Sequence, residues 1–221
     1  MEINTTIRKI NNGVYLVINP ADNEELLFNK LKEIVELEIA AVQIWDNFPT
    51  GVNELAFIEK VCAICHQKNI LVLINNRWQL LNESSADGVH FDKIPHNLTA
   101  IRNTLNKKCL MGITVNNDLS VVDWANENGF DYISFCSIFP SATSNSCELV
   151  KFETIEKARA ITAMPIFLAG GIRPENMHRL SQLNFNGVAV VSGIMSADDP
   201  VTATNNYLNE LKKLPHENVN Y

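Results

Sequence analysis

Eight short apolar runs recur along the chain: VYLVI (14–18), AVQIW (41–45), ILVLI (70–74), GVHF (88–91), LMGITV (110–115), YISF (132–135), PIFLA (165–169) and GVAVVS (187–192). The segments between them, such as NEELLFNKLKEIVELE, NELAFIEKVCAICHQK, DLSVVDWANENG and PENMHRLSQLNFNG, space Leu, Ile, Val and Phe at helical intervals. The first pattern predicts strands and the second amphipathic helices. Asn or Asp near two helix starts, and Gly or Asn at several ends, supply the expected caps. The strands read as continuous apolar runs rather than alternating ones, as parallel strands covered on both faces do. Eight β/α units predict a (β/α)8 TIM barrel. An open doubly wound sheet has a similar element order, but no G-x-G-x-x-G follows the first strand, where NPADNE stands. One domain over 1–221 is expected, without linker or low-complexity segment, its polar tail 215–221 fraying.

A barrel places its ligand at the carboxyl ends of the strands, with phosphate often held by the last two βα loops. Those loops read Ala169-Gly170-Gly171-Ile172 and Val191-Ser192-Gly193-Ile194. Glycines let backbone N–H groups approach an anion, and a helix beginning at Ser192 would aim its positive end at it. Gly170, Gly171, Val191 and Ser192 are therefore candidate phosphate-binding residues; a tight turn is the plainer use of the Gly pair. The stretch SIFPSATSNSC (137–147) has the hydroxyls and Pro of an anion-wrapping loop but no Lys or Arg.

Composition narrows the ligand. A net charge of −7 and a pI near 5.2 argue against nucleic acid or an anionic membrane as partner, leaving a small molecule or protein. No apolar run reaches the length of a membrane span, and the start has no apolar signal core, so a cytoplasmic setting is expected. Five cysteines, an odd number at irregular spacing, read as reduced thiols. Cys62-Ala-Ile-Cys65-His66 matches a haem-attachment pattern, yet Leu55, Ile58, Cys62 and Cys65 form one stripe of a helix over about 52–67, which predicts burial.

With these motifs in order, the chain resembles the thiamine phosphate synthase family, which also contains the thiazole tautomerase. The resemblance runs from GVYLVINP to about Pro200. It is carried by VQIWDNF, INNRWQLL, ADGVHF, GITVNN, DYISFCSIFPSATS, FLAGGIRPEN and GVAVVSGIMSADDP. It implies a barrel that joins a thiazole phosphate to a hydroxymethylpyrimidine diphosphate, releasing pyrophosphate with Mg2+. The small partner it implies is a phosphorylated heterocycle; oligomeric state stays open, a homo-oligomer included.

The family's charged positions are only partly present. Gln43 is kept, but Trp45 stands for an Arg and Asn47 for a Lys. Asn75 and Arg77 are kept, while Asn76 replaces a metal-binding Asp. His90 is kept, but a second carboxylate position falls at Pro95. Pro140, Ser141 and Thr143 match the phosphate loop, Ser144 replaces its Lys, and Cys136-Ser137 replaces a Gly-Pro. The resemblance thus leaves a thiazole-phosphate half and a ring-binding side at Gln43, Asn75, His90, Thr114, Ser141 and Thr143. It implies Mg2+ but no intact metal site. Asp92, Lys93 or Asp46 are the groups that could stand in.

Tautomerase chemistry would use a His after the fifth strand, where Asn116 stands. Arg77 is expected to pair with a carboxylate such as Asp87, and Trp45 to fill volume or stack on a ring. Cys136 has no His near it in sequence to make it a nucleophile. Three functions stay open on these residues: a synthase with recruited charges, a non-catalytic binder or sensor of a thiazole or thiamine phosphate, and a barrel with other small-molecule chemistry.

Overall fold

The computed structural model describes residues 9–140 and 148–214. Its eight strands are β1 (Gly13–Ile18), β2 (Ala41–Ile44), β3 (Leu71–Asn75), β4 (Gly88–Phe91), β5 (Leu110–Val115), β6 (Tyr132–Cys136), β7 (Ile166–Ala169) and β8 (Gly187–Val190). All pair in parallel, in chain order, and β8 returns to β1 with Gly187 opposite Gly13, closing the barrel. The eight predicted runs are the eight strands, with ends shifted by a residue or two.

The connections are α1 (Glu24–Ile34), α2 (Glu54–His66), α3 (Leu98–Thr104), α4 (Ser120–Glu127), α5 (Phe152–Ile161), α6 (Ser192–Met195) and α7 (Pro200–Lys213). Asn23 and Asn53 cap α1 and α2 by accepting the N–H of Leu26 and Ala56. Two connections depart from the expected α-helix. Trp78–Glu83 after β3 and Pro174–Leu180 after β7 are 3-10 turns. In the second, Asn176 bonds back to the Gly171 carbonyl and the Arg173 N–H, winding the chain tightly against the loop it has just left.

Continuous apolar strands serve two cores. Val14, Leu16, Ile18, Val42, Ile44, Val72 and Ile74 point outward and pack beneath the helices. Tyr15, Val17, Ala41, Leu71, Leu73, Leu110, Tyr132 and Phe167 point inward and fill the barrel. Alternate residues of each strand therefore face different cores, and the inward set stacks in layers. The Tyr132 ring occupies space that a side chain at position 112 would take: a Cβ on Gly112 would lie 2.0 Å from it.

Cys62 and Cys65 are buried on α2, as the stripe predicted. Burial pushes the Cys62 thiol up to about 12. Haem attachment would have to open the outer core, so the C-x-x-C-H pattern is a packing feature here. The predicted Arg77–Asp87 pair does not form. Asp87 precedes β4 at the amino end of the barrel, where it accepts from His66 Nε2 at 2.9 Å and from the Val72 N–H at 2.8 Å. Arg77 follows β3 at the opposite end and pairs with Asp46 and Glu54, each at 2.5 Å.

Candidate functional site at the carboxyl end of the barrel

A cavity of about 1020 Å³ opens at the carboxyl ends of the strands. Of the residues expected there, Gln43, Asn75, His90, Thr114, Gly170, Gly171, Val191 and Ser192 all line it. Ser141 and Thr143 lie outside the described residues, as does most of the 137–147 loop and the 215–221 tail.

At the β7–β8 side two loops converge. Gly170 and Gly171 have φ of +89° and +65°. A Cβ on Gly171 would meet the Pro140 and Phe139 carbonyl oxygens at 2.5 and 2.6 Å, so these glycines also let the β6 loop lie against the β7 loop. The turn reading and the close-approach reading are thus the same fact. Among the described residues, no acceptor takes the N–H of Gly171, Ser192 or Gly193. α6 begins at Ser192, as expected, leaving the Ser192 and Gly193 N–H groups without intrahelical partners. Tyr207 of α7 donates to the Ile172 carbonyl at 3.0 Å, and a Cβ on Gly193 would fall 2.1 Å from its hydroxyl. One buried tyrosine therefore touches both loops and sets their spacing. Arg173 and Glu175 complete this side.

The floor is a line of hydrogen bonds across the barrel interior. Tyr15 Oη donates to Gln43 Oε1 at 2.7 Å and contacts Tyr132 Oη at 2.9 Å. Burial pushes both phenols up, so each keeps its one proton. With the Tyr15 proton spent on Gln43, Tyr132 donates to Tyr15 and must accept from His90 Nδ1 at 2.9 Å. His90 Nε2 then accepts from Thr114 Oγ1 at 2.8 Å, and Ser134 Oγ lies 3.3 Å from Thr114 Oγ1 and 3.4 Å from His90 Nε2. Burial holds the imidazole neutral, its pKa pulled down to about 4 against the opposing effect of Asp92. His90 is thus a satisfied interior histidine with a defined tautomer, and the Thr114 and Ser134 hydroxyls line the cavity beside it.

At the β2–β4 side, Asn75 Nδ2 donates to Asp92 Oδ1 at 2.8 Å and Asn76 Nδ2 to Asp92 Oδ2 at 2.7 Å. Asn76 Oδ1 accepts the Asp92 N–H at 3.0 Å, and Asn75 Oδ1 accepts that of Asp46 at 3.3 Å. Both Asn side chains are consumed in holding one carboxylate. Asp92 lines the cavity; Lys93 is exposed outside it and Asp46 is paired with Arg77. Trp45 is half-buried at the wall and packs on the inner barrel core. Mg2+ takes six hard oxygen ligands, usually one or two carboxylates together with substrate phosphates and waters. Here one carboxylate is present and each of its oxygens already accepts an amide N–H. Among the described residues no group of three or more His, Cys, Asp or Glu could hold a metal. This side of the lining thus offers Mg2+ one carboxylate, that of Asp92, and the ion would depend on substrate phosphates and water for its other ligands.

Sequence reasoning missed Tyr15, Tyr132, Ser134, Arg173 and Tyr207. Alternation was the signal for the first three: each sits two residues from, or directly beside, a flagged inward position on its own or a neighbouring strand.

Fold and cavity together define a closed (β/α)8 barrel with a ligand pocket at the carboxyl ends of its strands. A family model described as thiamine monophosphate synthase matches residues 14–194, and the chain belongs to that family. It is 26% identical over 200 residues to the thiamine-phosphate synthase of Methanobrevibacter smithii, covering 90% of this chain and 95% of the relative. It is 31% identical over 191 residues to that of Thermoplasma acidophilum, covering 86% and 88%. In fold it is similar to a solved thiamine phosphate pyrophosphorylase from Pyrococcus furiosus, with a TM-score of 0.77 at 20% identity over 91% of this chain and 96% of that one. Among the described residues no helix is long and apolar enough to cross a membrane.

Proposed function

We propose that this family member binds a phosphorylated heterocycle of the thiazole-phosphate kind in thiamine metabolism, and joins it to a pyrimidine diphosphate poorly or not at all. The distribution of charge around the cavity carries this reading. At the β7–β8 side, backbone N–H groups of Gly171, Ser192 and Gly193 suit one phosphoryl group without needing a cation. At the β2–β4 side, the described groups are Trp45, two amides and the Asp92 carboxylate.

Departure of pyrophosphate requires cations where the negative charge grows. Arg77, the nearest cation kept from the family pattern, is already held between Asp46 and Glu54 and does not line the cavity. A diphosphate there would face the exposed Asp92 carboxylate, a like charge, with no described cation lining that side of the cavity. Proton transfer by a ring base is disfavoured as well: His90 has both nitrogens engaged, and Asn116 cannot act as a base. The reading places the protein in the cytosol, consistent with the four free cysteines among the described residues.

Steady-state kinetics with Mg2+ and both substrates is the test. A turnover well under about 1 s⁻¹ is expected, and one within the ordinary enzyme range of about 1–10³ s⁻¹ contradicts the proposal.

A further inference from the structure

The cavity does not end at the two glycine-bearing loops. Its lining runs from Tyr15 and Tyr132 inside the barrel to Ala203, Asn206 and Tyr207 on α7. The helices lie outside the ring of strands, and Tyr207 belongs to the outer core between them. A cavity that reaches Ala203 and Asn206 has therefore passed over the β7 and β8 loops and left the barrel. These three α7 residues stand at i, i+3 and i+4, one stripe of the helix. On the α6 side, Ser192, Gly193 and Ser196 are exposed and line the same path, while Ile194 and Met195 are buried beneath it.

This outer lobe has its own chemistry. Arg173 and Glu175 come to it from the 3-10 turn after β7, Ser196 from the end of α6 and Asn206 from α7, and all four are exposed. Among the described residues neither Arg173 nor Glu175 is in an ion pair, and the Ser196 hydroxyl and Asn206 amide make no hydrogen bond. Both charges bear on Tyr207. Burial first, and then the Glu175 carboxylate, push its phenol up to about 12, and Arg173 opposes them. The two charged groups thus act at the hydroxyl that spaces the loops.

Arg173 is the one Lys or Arg of the lining among the described residues, and Glu175 offsets it. A second phosphoryl group in this lobe would meet Glu175 as a like charge. An apolar arm would cover polar groups and give them no partners. Hydroxyl groups suit all of them: a carboxylate accepts from a vicinal diol, and an amide and a hydroxyl can donate or accept. A phosphate esterified on both sides carries a single negative charge, which Arg173 matches.

We propose that the outer lobe holds the second arm of a phosphodiester, a short polyol chain whose vicinal hydroxyls donate to Glu175. The phosphoryl group between the β7 and β8 loops is then a bridge rather than an end: the ring-bearing arm enters the barrel, and the polyol arm lies between Arg173 and α7. The proposal rests on the phosphate reading of these loops and adds what the phosphate carries on its other side.

The test uses three probes that share a neutral ring for the barrel and differ beyond the phosphorus: phenethyl phosphate, phenethyl methyl phosphate and phenethyl glyceryl phosphate. Each is titrated into the wild-type protein by calorimetry. The glyceryl diester is expected to bind at least about tenfold more tightly than the methyl diester, the scale of a hydrogen bond to a charged group. Glu175→Gln is expected to bring that ratio within about threefold, and because the side chain is exposed the variant keeps the fold. Equal or weaker binding of the glyceryl diester, or a monoester that binds while both diesters do not, overturns the second arm and leaves the phosphate reading standing. Binding of none of the three overturns both. A tenfold preference that survives Glu175→Gln overturns the assignment of the diol to this lobe.

Discussion

At the β7–β8 side of the cavity the binding groups are backbone: two glycine-bearing loops spaced by Tyr207, with N–H groups that no described residue accepts. At the β2–β4 side they are side chains: Trp45 packed on the inner core, and Asn75 and Asp92 joined by a hydrogen bond. The difference matters because the two materials tolerate change differently. Backbone donors depend on conformation, so the residues that allow the conformation cannot be exchanged without strain. A site built from side chains can change sign while its strands stay in register, and here Gln43, Asn75 and Asp92 share that side with Trp45.

The comparison can be broken at its backbone half by a single methyl. Gly171→Ala puts a Cβ 2.5 Å from the Pro140 oxygen at a φ of +65°. Strain and overpacking together are expected to cost about 2–6 kcal/mol, read as a lowered urea midpoint. The hydroxyl floor between the halves is tested by pH. His90 has a folded pKa of about 4, below its ordinary 6.5, so the unfolded chain takes up the proton first as pH falls. Its contribution is complete above about pH 6.5 and is lost toward pH 4, by roughly 3 kcal/mol for this buried group. Urea unfolding at pH 7 and 4.5 should show the slope, and His90→Gln should flatten it.

The side-chain half should accept restored charge. Trp45→Arg with Asn76→Asp is expected to raise Mg2+-dependent pyrimidine diphosphate affinity by about 10–100-fold, the worth of about 1.5–3 kcal/mol for a hydrogen bond to a charged group. Arg77→Gln should do least. Its ion pairs are more than a third exposed on the Arg side, so a stability loss of about 1 kcal/mol or less is expected, with unchanged binding of the monophosphate.

The fold was legible because its signal is distributed. Eight apolar runs at regular intervals survive an error at any one of them, and the strand starting at Gly88 and the one spanning 110–115 matched to the residue. The two 3-10 connections were hidden: WQLLNE and PENMHRL keep helical apolar spacing, and only the bonds of Asn176 back to Gly171 and Arg173 shorten the second. In the site, glycine pairs and the retained Gln43, Asn75 and His90 were visible as motifs. Asp92 was visible as one of three substitutes for the lost charges, and hydrogen bonds from two distant Asn side chains single it out. The Tyr15–Tyr132–His90 line joins strands far apart in sequence, so no local pattern announces it. Arg77 pairs with carboxylates as expected, but with Asp46 and Glu54 rather than Asp87, because sequence says nothing of which end of a barrel each residue occupies.

The central claim is tested most directly by titrating thiazole phosphate and hydroxymethylpyrimidine diphosphate with Mg2+ separately into the wild-type protein at pH 7. The monophosphate should bind at least about 100-fold more tightly, as expected when two charge-assisted contacts are missing from the diphosphate side. Mg2+-dependent binding of the diphosphate as tight as that of the monophosphate would contradict it.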